Sequence, residues 1–448
     1  MRRAALAVSL AGSLLSGCQT YQPAPLAAPS DVLAPPDAAI LSADAAKIDR
    51  PFLTPQQIDL SQPLTPNALA VIAVLENPDL RAQRARAGVT DAQAFAARLL
   101  PDPSFQANFD KILSGPDVFN AFGGQLGLDI GQLRTARVMR EAGEASKRQV
   151  RLDLAWAEWQ TAGQARLQGA RILALTDELA IARASAAAAE KLFEATQRAT
   201  GRGDIAASEL DSRRQALLDV TDKLRVAERD LAAAKGDLNK MLGLPPEVEL
   251  TLAASPDPAV PPDSATLTAQ AIERRLDLQA LRAGYGVAEA DLHKAVLDQF
   301  PNLSLTLAGA RDTANNYTVG PAVGFTLPLW NRNRGGIAIA KATREQLHAE
   351  YDARLFQTRA EIDAANGALA TVRRQKAELD AQMPALERFA AGTERAAKRG
   401  DLAPATADTA AQALRDRRLT LRQLDQQIAE QTIALELLSG GPAEGWTK

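Results

Sequence analysis

The chain contains an approximate copy of itself. Arg202-Gly203-Asp204-Ile205 and Arg399-Gly400-Asp401-Leu402 stand about 197 residues apart, and each opens the same downstream apolar spacing. The correspondence extends well beyond the tips. Asp79, Leu80, Ala82, Arg84 and Ala85 match Asp277, Leu278, Ala280, Arg282 and Ala283, and "PDPSF" from Pro101 matches "PNLSL" from Pro301. "DLNKMLG" ends at Gly243 and "ALELLSG" at Gly440. A duplication of this length forces a fold in which two similar units share one core or one sheet. The first unit spans 66–245, the second 268–442, and a Pro-rich linker, 246–267, joins them; 443–448 is a short tail.

Each unit has the same internal order. A helical stretch, Pro78 to Leu100 or Ala269 to Gln299, precedes two short alternating segments. Leu303, Leu305 and Leu307 alternate with small or polar residues, as do Val319, Val323, Phe325 and Leu327. Strands of this pattern suit a membrane β-barrel or a soluble sheet. A very long helix follows, from Leu133 to Thr200 without proline, and from Arg334 to Gly400 with only Pro384. After the Arg-Gly-Asp turn comes a heptad: Leu210, Leu217, Leu224, Leu231 and Leu238, repeated as Leu414, Leu421, Ile428 and Leu435.

Helix lengths set the geometry. About 66 residues at 1.5 Å each give roughly 100 Å, whereas a returning helix covers about 55 Å. Each returning helix must therefore stack on an opening helix to match one long one. The tips then lie at the far end of two helical hairpins, where Gly203 and Gly400 allow the turn. Asp204 and Asp401 are expected near the first turn of the returning helices, favoured by the helix dipole. Four strands cannot close a barrel, and open strand edges are not tolerated in lipid. Three copies would supply twelve strands.

The N-terminus belongs to targeting rather than fold. Arg2 and Arg3 precede the apolar run Ala4 to Leu15, and Leu15-Ser16-Gly17-Cys18 resembles a bacterial lipobox. Residues 1–17 are thus expected to be a lipoprotein signal peptide, with Cys18, the only cysteine, carrying acyl chains such as palmitate. Gln19 follows rather than Asp, which for such lipoproteins implies the outer membrane. The Pro- and Ala-rich stretch 18–65 reads as an extended tether.

Other classes lack support. A formal net charge of −3 and no basic tract give no reason to expect nucleic acid. No P-loop, G-x-S-x-G or His-based catalytic constellation is present, so the chain is not expected to be an enzyme. His293 and His348 stand alone, so neither a metal site nor a cofactor is expected. Trp156 and Trp159 read as seam packing, and Trp330 as an interfacial indole.

With the duplication, "LGLPP" ending at Pro246, the "G-D-I/L" tips, "QFPNLSL" and "LPLWNRNRGGIAIAKA", the chain resembles the TolC-like outer membrane efflux protein family. The resemblance covers about 70–442, and the "LPLWNRNRG" form is most similar to the heavy-metal cation branch. It implies a mainly α fold with membrane β: coiled-coil hairpins plus four strands of a trimeric twelve-stranded barrel. It also implies passive export of metal cations or small toxic compounds. The partners would be a homotrimer, a periplasmic adaptor, an inner-membrane pump of the RND type and outer-membrane lipid. Arg202, Gly203, Asp204, Ile205, Arg399, Gly400, Asp401 and Leu402 would be the docking tips. Glu209, Asp211 and Asp408 are candidates for a pore constriction, with salt links to Arg213, Arg395 or Arg399. The rivals are a periplasmic adaptor, which normally has one hairpin flanked by halves of a β-domain, and a structural coiled-coil lipoprotein, which leaves the strands unexplained.

Overall fold

The structure is a computed structural model and describes residues 21–254, 259–443 and 446. The signal peptide and Cys18 lie outside the described residues. The chain divides into two compact units, 1–36 and 37–448. In the first, 21–36 is irregular apart from a four-residue helix, α1 (Pro29–Val32).

The second unit begins with α2 (Ala38–Ala45), capped by the Asp37 carboxylate, which accepts from the amides of Ala39 and Ile40. Here the tether expected over 18–65 is corrected. From Asp37 onward the chain is packed, with Leu41, Ala45, Ile48, Leu53, Ile58 and Leu64 all buried. Pro and Ala dominate the composition, but the apolar residues among them recur often enough to cover α3 and the long helix beneath.

Two similar sets of elements follow. The first is α3 (Pro66–Glu76), α4 (Pro78–Ala96), β1 (Ser104–Asp110), β2 (Ala121–Asp129), α5 (Ile130–Gly201) and α6 (Ala207–Met241). The second is α7 (Ser264–Arg274), α8 (Leu276–Leu297), β3 (Leu303–Arg311), β4 (Tyr317–Phe325), α9 (Arg334–Lys398) and α10 (Pro404–Ser439). The single opening helix expected over Ala269–Gln299 is in fact two. Arg275 takes an extended conformation, ψ 121°, and ends α7, as Asn77 before Pro78 ends α3. Proline enforces the break in the first repeat. In the second, a buried Arg275 side chain holds it, its guanidinium bonded to the Asp277 carboxylate at 2.7 and 3.0 Å.

The stacking expected from helix length is present. Asn77 donates from its side chain to the Met241 carbonyl, and Arg275 donates to the Leu438 carbonyl. The foot of each returning helix thus meets the head of an opening helix. Both joints contain a left-handed glycine, Gly243 at φ 65° and Gly440 at φ 75°. The units interlock, because α5 packs against α8 and α10 of the second repeat as well as α3, α4 and α6 of its own. Trp159 is buried in this seam, edge-on to Phe52 with ring centroids 4.9 Å apart, and Trp156 lies beneath the Arg275 guanidinium.

The heptad seam is closed at one end only. Ala227, Leu231, Ala234 and Leu238 are buried, while Leu210, Leu217 and Leu224 are half-buried.

Candidate functional site

All four strands join one antiparallel sheet in the order β1-β2-β3-β4, so the two repeats meet through β2 and β3. The register carries Phe105 to Leu126, Leu126 to Leu307 and Leu307 to Pro321. A second row runs Phe109, Phe122, Arg311 and Tyr317. Cross-strand partners share a face, so these rows with Leu305, Val323, Leu303 and Phe325 form one continuous apolar surface. The opposite face carries Ser304, Thr306, Gln106, Asn108, Gln125, Gly123, Gly127 and Gly324. Gln125 donates to Gln106 across it, and Ser304 donates to the Gly324 carbonyl at 3.2 Å.

The apolar side chains are exposed: Phe105 is 71% accessible, Val319 79% and Phe325 58%. A soluble sheet would turn such a face onto a core. This one has no covering layer among the described residues, and β1 and β4 each have a free edge. A bare apolar face, a small polar face and two open edges are the properties of a barrel segment. Leu327, Leu329 and Trp330 continue the exposed apolar surface past β4, with Trp330 86% accessible.

The other end of the long helices carries the two tips, and they are built alike. Gly203 and Gly400 both have φ 82°. The Gly203 and Asp204 amides donate to the carbonyls of Thr200 and Ala199, and those of Gly400 and Asp401 to Ala397 and Ala396. Asp204 and Asp401 stand two residues before Ala206 and Ala403, the N-caps of the returning helices. Each accepts a hydrogen bond from the arginine two residues earlier, Arg202 at 2.8 Å and Arg399 at 2.9 Å. The glycine turn folds the two side chains back onto each other, leaving Ala206 and Ala403 as N-caps without a side-chain acceptor. Ile205 and Leu402 follow, about 37% and 39% exposed. Each tip is thus a neutralised Arg-Asp pair beside an exposed apolar residue.

The constriction candidates are paired along their own helices. Glu209 meets Arg213 at 2.7 Å, Asp211 meets Arg214 at 3.2 Å, and Asp408 meets Arg415 at 3.7 Å. Of the expected cations, Arg213 is engaged with Glu209 and Arg399 with Asp401. Glu209 and Asp211 take partners four and three residues away, the nearest available on a helix, whereas Asp408 reaches Arg415 two turns on.

Three buried carboxylates were not legible as sites. Glu158 accepts from Arg50 and Arg84, Asp277 from Arg275 and Arg354, and Glu436 pairs with Arg166 at 2.6 Å. Burial opposes ionisation of Glu158, but the hydrogen bonds and charges of Arg50 and Arg84 outweigh it and hold its carboxyl below the usual range. Asp277 is held low in the same way by Arg275 and Arg354 against its own burial. The sequence signals were the recurrence of Asp79 as Asp277 and of Arg84 as Arg282, and Arg282 bonds Tyr351 instead. Glu158 and Asp277 lock opening helices to the long helices, and Glu436 locks α10 to α5.

A four-stranded sheet of this design on long helical hairpins is a fold shared with solved outer-membrane channels. Residues 267–441, the second repeat, match the family model described as outer membrane efflux protein. No curated protein sequence matches significantly. Among solved structures, CusC superimposes with a TM-score of 0.70 at 17% identity, covering 91% of this chain and 99% of that one. The CmeC outer membrane channel of Campylobacter jejuni gives 0.69 at 16% identity, covering 84% and 85%. The open-state MtrE outer membrane channel of Neisseria gonorrhoeae gives 0.61 at 16% identity, covering 83% and 88%.

Proposed function

We propose that three copies of this chain form an outer-membrane exit duct that completes an efflux system. The observation that carries the reading is the sheet: one apolar face, one small and polar face, and free edges at β1 and β4. Joining β4 of one copy to β1 of the next closes twelve strands and removes every edge, as lipid requires. The apolar face then meets lipid and the Gln, Ser, Thr and Gly face lines the lumen. The helical hairpins extend the conduit on the periplasmic side. Nothing in this arrangement performs chemistry, so the driving force would come from an inner-membrane pump, of the RND type by family resemblance.

The tips would receive a periplasmic adaptor, with Ile205 and Leu402 as apolar contacts and the Arg-Gly-Asp turns setting their orientation. Rings of Glu209, Asp211 and Asp408 would line the narrowing end and favour cations. Metal cations or small toxic compounds are the proposed cargo. Acylation at Cys18 would add a lipid anchor to the barrel.

The test is recovery from outer-membrane fractions of a detergent-stable trimer that forms channels in planar bilayers. A monomer that stays soluble without detergent would overturn the reading.

A further inference from the structure

Arg311 is out of place on a lipid-facing strand. It continues the row Leu303, Leu305 and Leu307 on β3, with its Cα opposite those of Phe122 and Tyr317. Yet among the described residues it has no carboxylate partner, in a chain otherwise rich in ion pairs. Its guanidinium carbon lies 4.6 Å from the Phe119 ring centroid and 5.9 Å from that of Tyr317, and its Nε has no hydrogen-bond acceptor. The nearby carboxylates are committed elsewhere. Asp312 accepts from Ala314 and Asn316, Asp117 accepts from Thr313, and Asp110 lies on the other face of the sheet.

Its depth is informative. The helices attach where β2 and β3 meet Asp129 and Leu303, so the hairpin loops 111–120 and 312–316 are at the opposite end. Arg311 is the last residue of β3 before such a loop, about 27 Å along the strand from Leu303. A strand of nine residues, tilted by about 45°, is just long enough to span the hydrocarbon layer, which puts the guanidinium at its last residue near the outer headgroup level. A cation there costs little and attracts an anion. Two aromatic rings flank the guanidinium and its Nε–H has no acceptor, an arrangement suited to phosphate.

Resting on the barrel reading above, we infer that Arg311, clasped by Phe119 and Tyr317, binds a phosphate group of an outer-leaflet lipid, once per protomer. Phosphorylated glycolipid of the lipid A type and anionic phospholipid share this chemistry.

The test uses intact trimers in phosphatidylcholine nanodiscs, titrated separately with lipid A and phosphatidylglycerol and read by native mass spectrometry. Retention of phosphorylated lipid over added phosphatidylcholine is expected, and the stronger titrant identifies the source. Arg311→Gln should weaken it about fivefold per site, the loss of one interfacial cation. Phe119→Leu, in the loop outside the strands, should weaken it less, and serves if Arg311→Gln fails to insert. Equal retention of all three lipids by wild-type trimers, or no change in either variant, overturns the inference while leaving the duct intact. Failure of wild-type trimers to insert overturns both.

Discussion

The side-chain amide of Asn77 donates to the carbonyl of Met241 at 2.8 Å, across 164 positions of sequence. Its backbone turns α3 into α4, and its side-chain oxygen also caps α4 through the Leu80 amide at 3.0 Å. One residue therefore ends a helix, starts the next and holds the foot of a third. The second repeat builds the same joint with Arg275 and Leu438, which explains how a returning helix half the length of its partner is extended without a gap.

This joint predicts a sharp glycine requirement. A Cβ at Gly243 would stand 2.5 Å from the Glu76 carbonyl oxygen, and one at Gly440 would stand 2.9 Å from the Arg275 amide nitrogen. Both positions also have positive φ. Gly243→Ala and Gly440→Ala should each destabilise by about 1–3 kcal/mol. Denaturation of the purified protein in detergent measures this. Gly236→Ala, in open space on α6, is the control and should stabilise slightly.

Glu158 is 1% exposed and neutralises two arginines. Glu158→Gln should cost about 3–5 kcal/mol, because both guanidinium groups lose their counter-charge. The pH dependence follows from the depressed carboxyls of Glu158 and Asp277. A group ionised more readily when folded contributes stability that is complete above its unfolded pKa, near 4.5 and 3.8 here. It is lost as pH falls through the lower folded value. Wild-type stability should drop on acidification below about pH 4.5. Glu158→Gln should show a shallower drop in the same titration, and an identical slope would mean that other groups dominate.

The sheet predicts opposite responses at adjacent positions. Leu126 lies mid-strand on the apolar face, between Phe105 and Leu307, whereas Gln125 lies on the polar face beside Gln106. Leu126→Arg should cost about 2–4 kcal/mol of barrel stability, while Gln125→Arg should be tolerated and shift ion selectivity. Folding into vesicles, followed by the gel shift of heated against unheated samples, separates the two. Equal tolerance would mean that the faces are assigned wrongly.

Periodicity made much of this fold readable. The long helices, the alternating strands and the glycine tips each leave a local pattern, and the duplication supplies every pattern twice. What escaped notice depends on partners distant in sequence. Arg50, Arg84 and Glu158 meet only when three segments converge, so none of them stands out alone. Residues 37–65 looked like a tether because only Leu41, Ala45 and Ile48 keep a helical spacing, on or just after a single short helix, and the buried residues after them, Leu53, Ile58 and Leu64, are irregularly spaced among prolines. The second-repeat break at Arg275 was missed because no proline marks it. At the tips the place of Asp204 and Asp401 just before the returning helices was readable, but which arginine each would hold across the tight glycine turn was not.

The last prediction concerns the narrow end. Asp211 is about 70% exposed despite its contact with Arg214, whereas Asp408 is about 28% exposed and faces Arg415 at 3.7 Å. Exposed i,i+3 pairs hold little energy, so Arg214 leaves most of the Asp211 charge available to the solvent around it. In a three-fold assembly the same charge appears three times on one ring, and a ring of carboxylates concentrates cations in a narrow passage. Replacing Asp211 and Asp408 together with alanine should weaken cation preference in planar bilayers and raise single-channel conductance, since any link that these carboxylates make between protomers is removed. Asp222, paired with Arg225 at 3.0 Å and about 71% exposed, lies farther up α6 and is the matched control. Asp222→Ala should leave both quantities unchanged. If the double variant behaves like this control, Asp211 and Asp408 are surface charges on the hairpins and the constriction is formed by other residues.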